Sequence, residues 1–289
     1  MEKRTVLSLA AIIGSAFFGF YFSNRVLYIK KKSEQKIIER ETKLHHFDPA
    51  VFSSLPKTEV WIPSPNGYNI HTVFIRPYPA KRFVVFSHGV TENKISSLKY
   101  ANIFLERGFN AVIYDQRRHG KTGGKTTSYG YFEKYDLQAV VDRVFQEEGD
   151  DVLVGVHGES MGAATALLYA GELSGRAHFY IADCPFSNLN ELLSYRLSCE
   201  IPCLPPKLLL LVGDLFLKLW GQFSAKDVSP INVVSRIQQP VLFIHSKKDD
   251  FILPSMTETL YKQKKGEKMF FSCRKRRTCP VLERKSFRL

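Results

Sequence analysis

The sequence predicts one α/β domain with a mostly parallel sheet, from its length and from the way that strand-like and helical segments alternate. The chain has 289 residues, of which 44% are hydrophobic and 24% are charged, and this suits one sizeable domain with an appendage. Short apolar runs alternate with helical patterns of about 10–15 residues, as in βαβ units. The strand-like runs are 59–63, 69–76, 83–87, 110–114, 151–156, 178–182 and 241–244, and the helical ones are 96–107, 135–148 and 161–170.

The alternation stops between residues 186 and 230, inside a predicted core of residues 59–271. A proline-rich stretch precedes an apolar helix at 207–219. An insertion between two core strands is expected to lie over the strand ends as a helical cap. The apolar stretch from Leu208 to Leu211 favours ordinary lid packing, with an acyl pocket or a second membrane contact as alternatives.

The N-terminus has the composition of a membrane anchor. Residues 5–23 carry no charge, and nineteen helical residues come close to the thickness of a hydrocarbon core, about 30 Å. Tyr21 and Tyr28 suit an interfacial role, and Arg25 and residues 30–32 add positive charge. We therefore expect a single-pass anchor at 1–30, a charged tether at 31–58 and a cell-membrane location. A cleaved signal peptide is the alternative, and the side that holds the catalytic domain is open, with a weak preference for the cytoplasm.

The net charge of +13 is concentrated in a basic tail, residues 272–289, which has seven Lys or Arg and one acidic residue, Glu283. The rest of the chain is only mildly basic, so we expect no nucleic-acid partner. The five cysteines are odd in number and indicate no disulfide framework. Cys199 and Cys203 lack a second pair at zinc-site spacing and are interpreted as packing thiols. No metal or organic cofactor is expected.

The chemistry is indicated by residues 158–162, Gly-Glu-Ser-Met-Gly. This motif follows a predicted strand and opens an alanine-rich helix, as in the turn that exposes the nucleophile of many serine hydrolases. Ser160 is the candidate nucleophile, and Gly158 and Gly162 supply the small residues that a sharp turn needs. The helix N-terminus and the N–H of Met161 are placed to stabilise an oxyanion.

Two further groups are expected at the same edge of the sheet. The loop after the strand at 83–87 contains His88, Gly89 and Val90, and the Val90 N–H is the candidate second oxyanion donor; His88 is interpreted as a residue that shapes this loop. The acid is expected after a late strand. Asp249 is the first choice and its neighbour Asp250 the second, with Asp183 a third possibility.

Together these residues resemble the bacterial membrane-anchored α/β-hydrolases of the prolyl-oligopeptidase and serine-aminopeptidase-like group. The likeness runs from the N-terminus to about Phe271. It is carried by segments 87–91, 114–120, 123–130, 157–162, 181–186 and 244–250. The resemblance implies an α/β-hydrolase fold, hydrolysis of an ester or amide, and a Ser-Asp-His triad that here includes Ser160 and Asp249. It also implies a structural role for His119.

The histidine of that triad is missing from its expected place after the last strand, because no histidine follows His245. The codons for residues 271–287 can be chosen so that reading one base later gives Phe-Leu-Ala-Glu-Lys-Gly-Glu-His-Ala-Gln-Ser-Leu-Asn-Glu-Asn-Pro. That string contains the expected Gly-Glu-His-Ala segment, with its histidine in place of Thr278. We therefore hypothesise an extra thymine in the run encoding Phe270 and Phe271, which puts the basic tail out of frame.

Two main functions follow from the sequence, beside a third hypothesis of nucleic-acid or lipid binding through the basic tail. The first is a serine hydrolase that acts on an ester, thioester or short peptide at a membrane, with reduced or absent activity in a chain that lacks the histidine. The second is a non-catalytic, membrane-anchored binding protein that keeps the hydrolase fold.

Overall fold

The computed structural model describes residues 3–202 and 205–273, and an eight-stranded sheet runs through the centre of this part of the chain. The strands are β1 Lys57–Pro63, β2 Asn69–Ile75, β3 Arg82–Ser87, β4 Asn110–Tyr114, β5 Leu153–Glu159, β6 Phe179–Asp183, β7 Val241–Ser246 and β8 Lys268–Cys273. The helices are α1 Lys3–Leu27, α2 Glu34–Lys43, α3 Pro49–Ser54, α4 Leu98–Leu105, α5 Glu133–Glu148, α6 Met161–Glu172, α7 Leu189–Glu200, α8 Pro206–Phe216, α9 Pro230–Val233 and α10 Pro254–Gln263.

The strands lie in the order β1-β2-β4-β3-β5-β6-β7-β8. Strands β1, β2 and β4 pair antiparallel, and every pair from β4 across to β8 is parallel. The predicted mostly parallel sheet is therefore confirmed. Because parallel strands all end at one edge, the loops after β3, β4, β5, β6 and β7 meet there.

Helices cover both faces of this sheet, as the side-chain alternation of β3 shows. Phe83 and Val85 pack in the cluster that includes α5 and α6. Val84 and Phe86 pack in the opposite cluster, which includes α4 and Ile37 of α2. Strands buried on both faces are near-continuously apolar, which is why the sequence indicated this strand so clearly.

The segment predicted as a charged tether differs from that expectation, because α2 packs on the body of the domain. Ile37 is fully buried, and Arg40 forms ion pairs with Glu41 and with Glu92. One apolar face and paired charges bind this helix to the loop after β3. Its many charged residues, taken alone, had suggested a solvated linker.

The cap occupies the predicted place between β6 and β7 and contains α7 and α8. A π-type turn, Leu217–Gly221, continues α8. Helix α1 lies alongside α8 and this turn. Gly19 lies against Val212, and Gly221 lies against Leu27. Helices α1 and α8 therefore run in the same direction.

Among the residues that the structure describes, no single helix meets the combined length and hydropathy requirement for a membrane span. Two adjoining segments meet it jointly, Pro206–Gly221 and Ala225–Arg236, with a bend of 83° between them.

Strand β8 extends the sheet beyond residue 271, the predicted end of the core. Ser272 and Cys273 continue the parallel pairing with β7, opposite His245 and Ser246. The tail from residue 274 onward, including Thr278, lies outside the described residues.

Candidate active site

Ser160 lies at the turn between β5 and α6, in a backbone conformation that is rare for a residue with a side chain. Its φ is 55° and its ψ is −113°, and a positive φ in a non-glycine residue is strained and persists only where its surroundings enforce it. The Ser160 N–H donates to the carbonyl of Asp183 at 2.8 Å, and the Ser160 carbonyl accepts from the N–H groups of Ala163 and Ala164. The side chain of Ser160 is partly exposed at the carboxyl edge of the sheet.

Two glycines make this turn possible by letting backbone segments touch. A Cβ on Gly158 would lie 2.2 Å from the carbonyl oxygen of Gly162, and a Cβ on Gly162 would lie 2.0 Å from that of Ser87. Both distances are far below van der Waals contact. The turn is thus pressed against the end of β3, which explains why the motif requires glycine at both positions.

The loop after β3 lies directly over Ser160. A Cβ placed on Gly89 would be 3.7 Å from the Cβ of Ser160. Within the described residues, neither the Val90 N–H nor the Met161 N–H donates to an acceptor. Met161 begins α6, whose N-terminus adds a partial positive charge. The two predicted donors therefore remain available for an oxyanion.

Asp249 follows β7 and is held by the backbone of its own loop. Its Oδ1 accepts from the N–H groups of Phe251 and Ile252 at 2.9 and 3.0 Å. Its Oδ2 lies 3.6 Å from Nε2 of His245. Asp249 is buried whereas Asp250 is exposed, so the first of the two neighbouring candidates is the one fixed in place.

Asp183, the third acid considered, lies at the end of β6 beside the turn. Tyr100 donates to its Oδ2 at 2.8 Å, while its Oδ1 has no hydrogen-bond partner among the residues that the structure describes. Burial, followed by the negative charge of Glu159, raises the pKa of Asp183 to about 7. Asp183 thus holds the turn through its backbone carbonyl, which accepts from the Ser160 N–H, while Tyr100 holds its carboxyl group.

The rest of this buried cluster was not predicted from the sequence. Lys99 pairs with Glu159 at 2.7 Å, and Glu159 stands opposite Asp183 in the pairing of β5 with β6. A carboxylate inside an otherwise apolar strand end, immediately before Ser160, was the available signal. It indicates a charge partner from another element, although it does not reveal which one.

His88 and His119 have both ring nitrogens engaged. Nδ1 of His88 bonds to the Gly89 carbonyl, and its Nε2 accepts from the Gln116 N–H at 3.0 Å. Nδ1 of His119 bonds to the Arg117 carbonyl, and its Nε2 accepts from the Thr91 N–H at 3.2 Å. Burial lowers the pKa of both, that of His119 to about 3. Each ring is thus a neutral, fixed support of a loop.

The remaining histidines are also directed elsewhere. All eight histidines fall within the described residues, and none of them forms a hydrogen bond with Ser160. His46 pairs with Glu41, His71 with Glu59, His178 accepts from the Val154 N–H, His245 contacts Thr257 and the Ile252 carbonyl, His157 is buried beside Tyr100, and His45 is exposed. The described site therefore has a serine, an acid and two N–H donors without a base.

A base supplied after β8 would enter at the right edge. Strand β8 runs parallel to β7, with Cys273 opposite Ser246, so the chain leaves β8 at the edge where Asp249 and Ser160 lie. The position hypothesised for the histidine, Thr278, follows shortly afterwards and lies outside the described residues.

Comparison with known proteins agrees with this architecture. Residues 78–236 match the family described as serine aminopeptidase, S33. The chain is 47% identical over 271 residues to the uncharacterized protein YqkD of Bacillus subtilis, covering 93% of this chain and 88% of the relative. It is 22% identical to the alpha/beta hydrolase domain-containing protein WAV2 of Arabidopsis thaliana, covering 70% of this chain and 65% of that protein.

A solved structure shares the fold. The Pyrococcus furiosus esterase Pf2001 superposes with a TM-score of 0.63 at 22% identity, covering 78% of this chain and 86% of the esterase. At this identity the likeness shows the fold alone. Taken with the family match and the relative at 47% identity, it shows that the chain belongs to the serine aminopeptidase (S33) family of α/β-hydrolases.

Proposed function

We propose that this protein is a serine hydrolase that transfers an acyl group from an ester or amide to water through Ser160. The observation that carries the proposal is the strained turn at Ser160, which lies between β5 and α6 and under Gly89. Such strain persists only where the surrounding structure enforces it and is frequent at active sites. The family assignment supports a hydrolase, and the substrate could be an ester, a thioester or a short peptide.

The proposed reaction has two acyl-transfer steps. Ser160 Oγ attacks the acyl carbon while a histidine takes the hydroxyl proton, and the oxyanion accepts hydrogen bonds from Met161 and Val90. The histidine then protonates the leaving group as its bond to the acyl carbon breaks. Water attacks the acyl-serine with the same histidine as base, and the acid is released with Ser160 restored. Asp249 Oδ2 orients the histidine and stabilises its charged form.

The proposal includes a frameshift near residue 271, because the eight histidines present are all directed away from Ser160. Restoring the frame would put a histidine at position 278, just after β8. Resequencing the gene across the codons for residues 268–279, from independently prepared DNA, tests this part. One thymine fewer supports the frameshift. An unchanged run, with the tail found by mass spectrometry, contradicts it.

Labelling with a fluorophosphonate probe tests the hydrolase proposal itself. We expect the frame-restored protein to be labelled on Ser160 and its Ser160→Ala variant to remain unlabelled. A frame-restored protein that binds no probe, although folded by circular dichroism, contradicts the hydrolase proposal. The outcome does not depend on the identity of the natural substrate.

The second candidate function is a non-catalytic binding protein on the same fold. The observation in its favour is the chain as it stands, in which no histidine within the described residues forms a hydrogen bond with Ser160. It predicts that the unaltered gene yields this sequence in the cell and that Ser160→Ala leaves the phenotype unchanged. A loss of phenotype in Ser160→Ala supports the hydrolase instead.

The proposal also includes membrane anchoring by the N-terminal segment. It is supported by helix α1, which is 25 residues long, and by the uncharged run at 5–23. We expect the full chain to resist carbonate extraction and to become extractable when residues 1–30 are removed. Protease protection in intact cells then shows on which side of the cell membrane the domain lies.

A further inference from the structure

The outer face of the cap carries a stripe of exposed leucines. Leu208, Leu211, Leu215 and Leu219 are between 46% and 70% exposed. Their spacing of three or four residues places them on one side of α8 and its π-type continuation. Contiguous exposed apolar patches are uncommon on soluble surfaces and mark interaction sites.

This stripe is continuous with an apolar surface on α1. Phe17 and Tyr21 are 63% and 51% exposed, and the ring of Phe20 contacts those of Phe216 and Trp220, with centroids 5.9 and 5.4 Å apart. The two helices pack closely, because a Cβ on Gly19 would lie 2.4 Å from Cγ1 of Val212. We call the outward-facing residues Phe17, Tyr21, Leu208, Leu211, Leu215 and Leu219 the apolar face.

Of the two adjoining segments that jointly meet the requirement for a membrane span, the second, Ala225–Arg236, packs in the protein core. Its residues Val228, Val233 and Val234 are buried, although length and composition make the two segments resemble a broken membrane span. The outward-facing part is thus confined to α8 and its continuation. Such a surface can lie against or within one leaflet without crossing the bilayer.

The charges around the apolar face favour a lipid surface over a second protein. Lys30 and Lys31 follow α1, beyond the end of the face where Gly221 lies against Leu27, and both are exposed. Trp220, 46% exposed beside the leucines, has the amphipathic ring that favours the interface between lipid and water. Apolar area together with lysines whose stems can extend to phosphate groups is the combination by which helices bind anionic membranes.

We propose that the apolar face contacts the acyl chains of an anionic phospholipid bilayer, in the same leaflet that α1 enters. The cap would then be part of the membrane attachment. This inference relies on the proposed anchoring by α1 but does not depend on chemistry at Ser160.

Membrane contact by the cap would place the candidate active site next to the bilayer. Tyr195 of α7 donates to the Asp250 carbonyl at 3.1 Å, and the guanidinium of Arg196 lies over the ring of Phe251. The Lys32 N–H, just after α1, donates to the Thr91 carbonyl at 3.0 Å. With the proposed hydrolase function, this arrangement points to acyl compounds that reside in the membrane as the substrate class.

The two tryptophans allow a direct test on the full chain. Trp61→Phe leaves Trp220 as the reporter, and Trp220→Phe leaves Trp61, which is 52% exposed on β1. Each protein is reconstituted into vesicles of zwitterionic and anionic phospholipid with brominated acyl chains. We expect quenching to remove roughly half of the Trp220 emission, as for an interfacial ring, and to leave Trp61 almost unchanged.

Substitutions in the leucine stripe are compared with a matched control elsewhere on the surface. Leu211→Asp combined with Leu219→Asp is expected to reduce quenching of Trp220, because carboxylates are costly in lipid. Met269→Asp, at a residue of similar exposure on β8, should leave the quenching intact. All three residues are on the surface, so little loss of stability is expected.

Two results would overturn the proposal in different ways. If the protein floats with vesicles but Trp220 is quenched no more than Trp61, the apolar face has another occupant, which crosslinking identifies if it is a second copy of the chain. If the protein does not float, the anchor and the apolar face both fail as membrane contacts. Fluorophosphonate labelling in detergent still tests the hydrolase separately.

Discussion

The stretch of the carboxyl edge between the central strand β5 and the outermost strand β8 is built differently at its two ends. At the Ser160 end, every residue of β5 after Leu153 is buried, and α6 is buried through its first ten residues. At the other end, none of the six residues of β8 is buried. Parallel strands are normally covered on both faces, so the Ser160 end has a complete environment and the β8 end has an incomplete one among the described residues.

This difference separates the parts of the site that packing determines from the part that depends on the chain after β8. The turn at Ser160 is fixed by backbone contacts with β3 and by the hydrogen bond to Asp183. Asp249, one strand before β8, is fixed by its own loop. The position of a base that follows β8 would depend on that strand and on the residues that pack over it.

The largest expected effect comes from completing the β8 end. Restoring the reading frame should raise kcat for a chromogenic ester by roughly four orders of magnitude, because removing a triad member typically costs at least that much. Initial rates of the two purified proteins, at equal concentrations of folded protein, provide the measurement.

A matched variant shows whether the new histidine is responsible. Replacing it by alanine in the frame-restored protein should return the rate to that of the present chain. If the histidine-free protein stays fully active, the gain came from repair of the fold, and the base must be sought elsewhere.

At the Ser160 end, the strongest expected effect is on stability. Gly162→Ala puts a methyl group 2.0 Å from the Ser87 carbonyl oxygen, and overpacking against backbone should lower the free energy of unfolding by about 3 kcal/mol. Gly14→Ala is the control, since nothing lies within 4 Å of its added Cβ and alanine is favoured in helices. Equal thermal midpoints for both variants would show that the turn is not sterically determined.

Much of the fold was predictable because the buried strands and their intervening helices leave clear patterns. Strands β3, β4 and β5 are apolar almost throughout, and the motif at 158–162 located the turn between β5 and α6. Helix α2 was not predicted as a packed element, because a single buried side chain, Ile37, gives little signal among charged neighbours. Strand β8 was partly missed because its exposed pattern lacks the continuous apolar run of a buried strand.

The residue types of the site were predictable from the sequence, whereas the contacts among these residues were less so. Asp249 and Ser160 followed from their positions after strands. The partners of Glu159 were not predictable, because Lys99 comes from a helix about sixty residues earlier and no local periodicity connects the two. The occupied nitrogens of His88 and His119 likewise depend on loops that meet only in the fold.

The pH dependence of stability tests the buried carboxyl group of Asp183 beside the turn. Because the pKa of Asp183 is raised from 3.8 to about 7 in the folded state, the folded protein binds more protons than the unfolded chain between about pH 4 and pH 7. Stability contributed by this group therefore falls as pH rises through that window, by at most about 1.4 kcal/mol per pH unit. Urea unfolding of the parent and of Asp183→Asn at several pH values measures the difference.

The Asp183→Asn variant should show a flatter pH dependence than the parent over this window. Glu106→Gln removes an exposed carboxylate on the surface and should leave the slope as it is in the parent. Identical slopes for the parent and Asp183→Asn would show that Asp183 is ionised throughout, and the cluster with Lys99 and Glu159 would then need a different charge state.

The smallest expected effect on stability belongs to Asp249, which lies between the two ends. Asp249→Asn keeps an oxygen that can accept from the N–H groups of Phe251 and Ile252, so we expect the free energy of unfolding to change by less than about 1 kcal/mol. In the frame-restored protein the same change should lower kcat by roughly 10⁴, because an amide does not hold the histidine in its reactive tautomer. Asp250→Asn, at the exposed neighbour, should preserve activity. Loss of activity in Asp250→Asn with retention in Asp249→Asn would reverse the assignment of the acid and show that the rigid loop after β7 positions a different carboxylate.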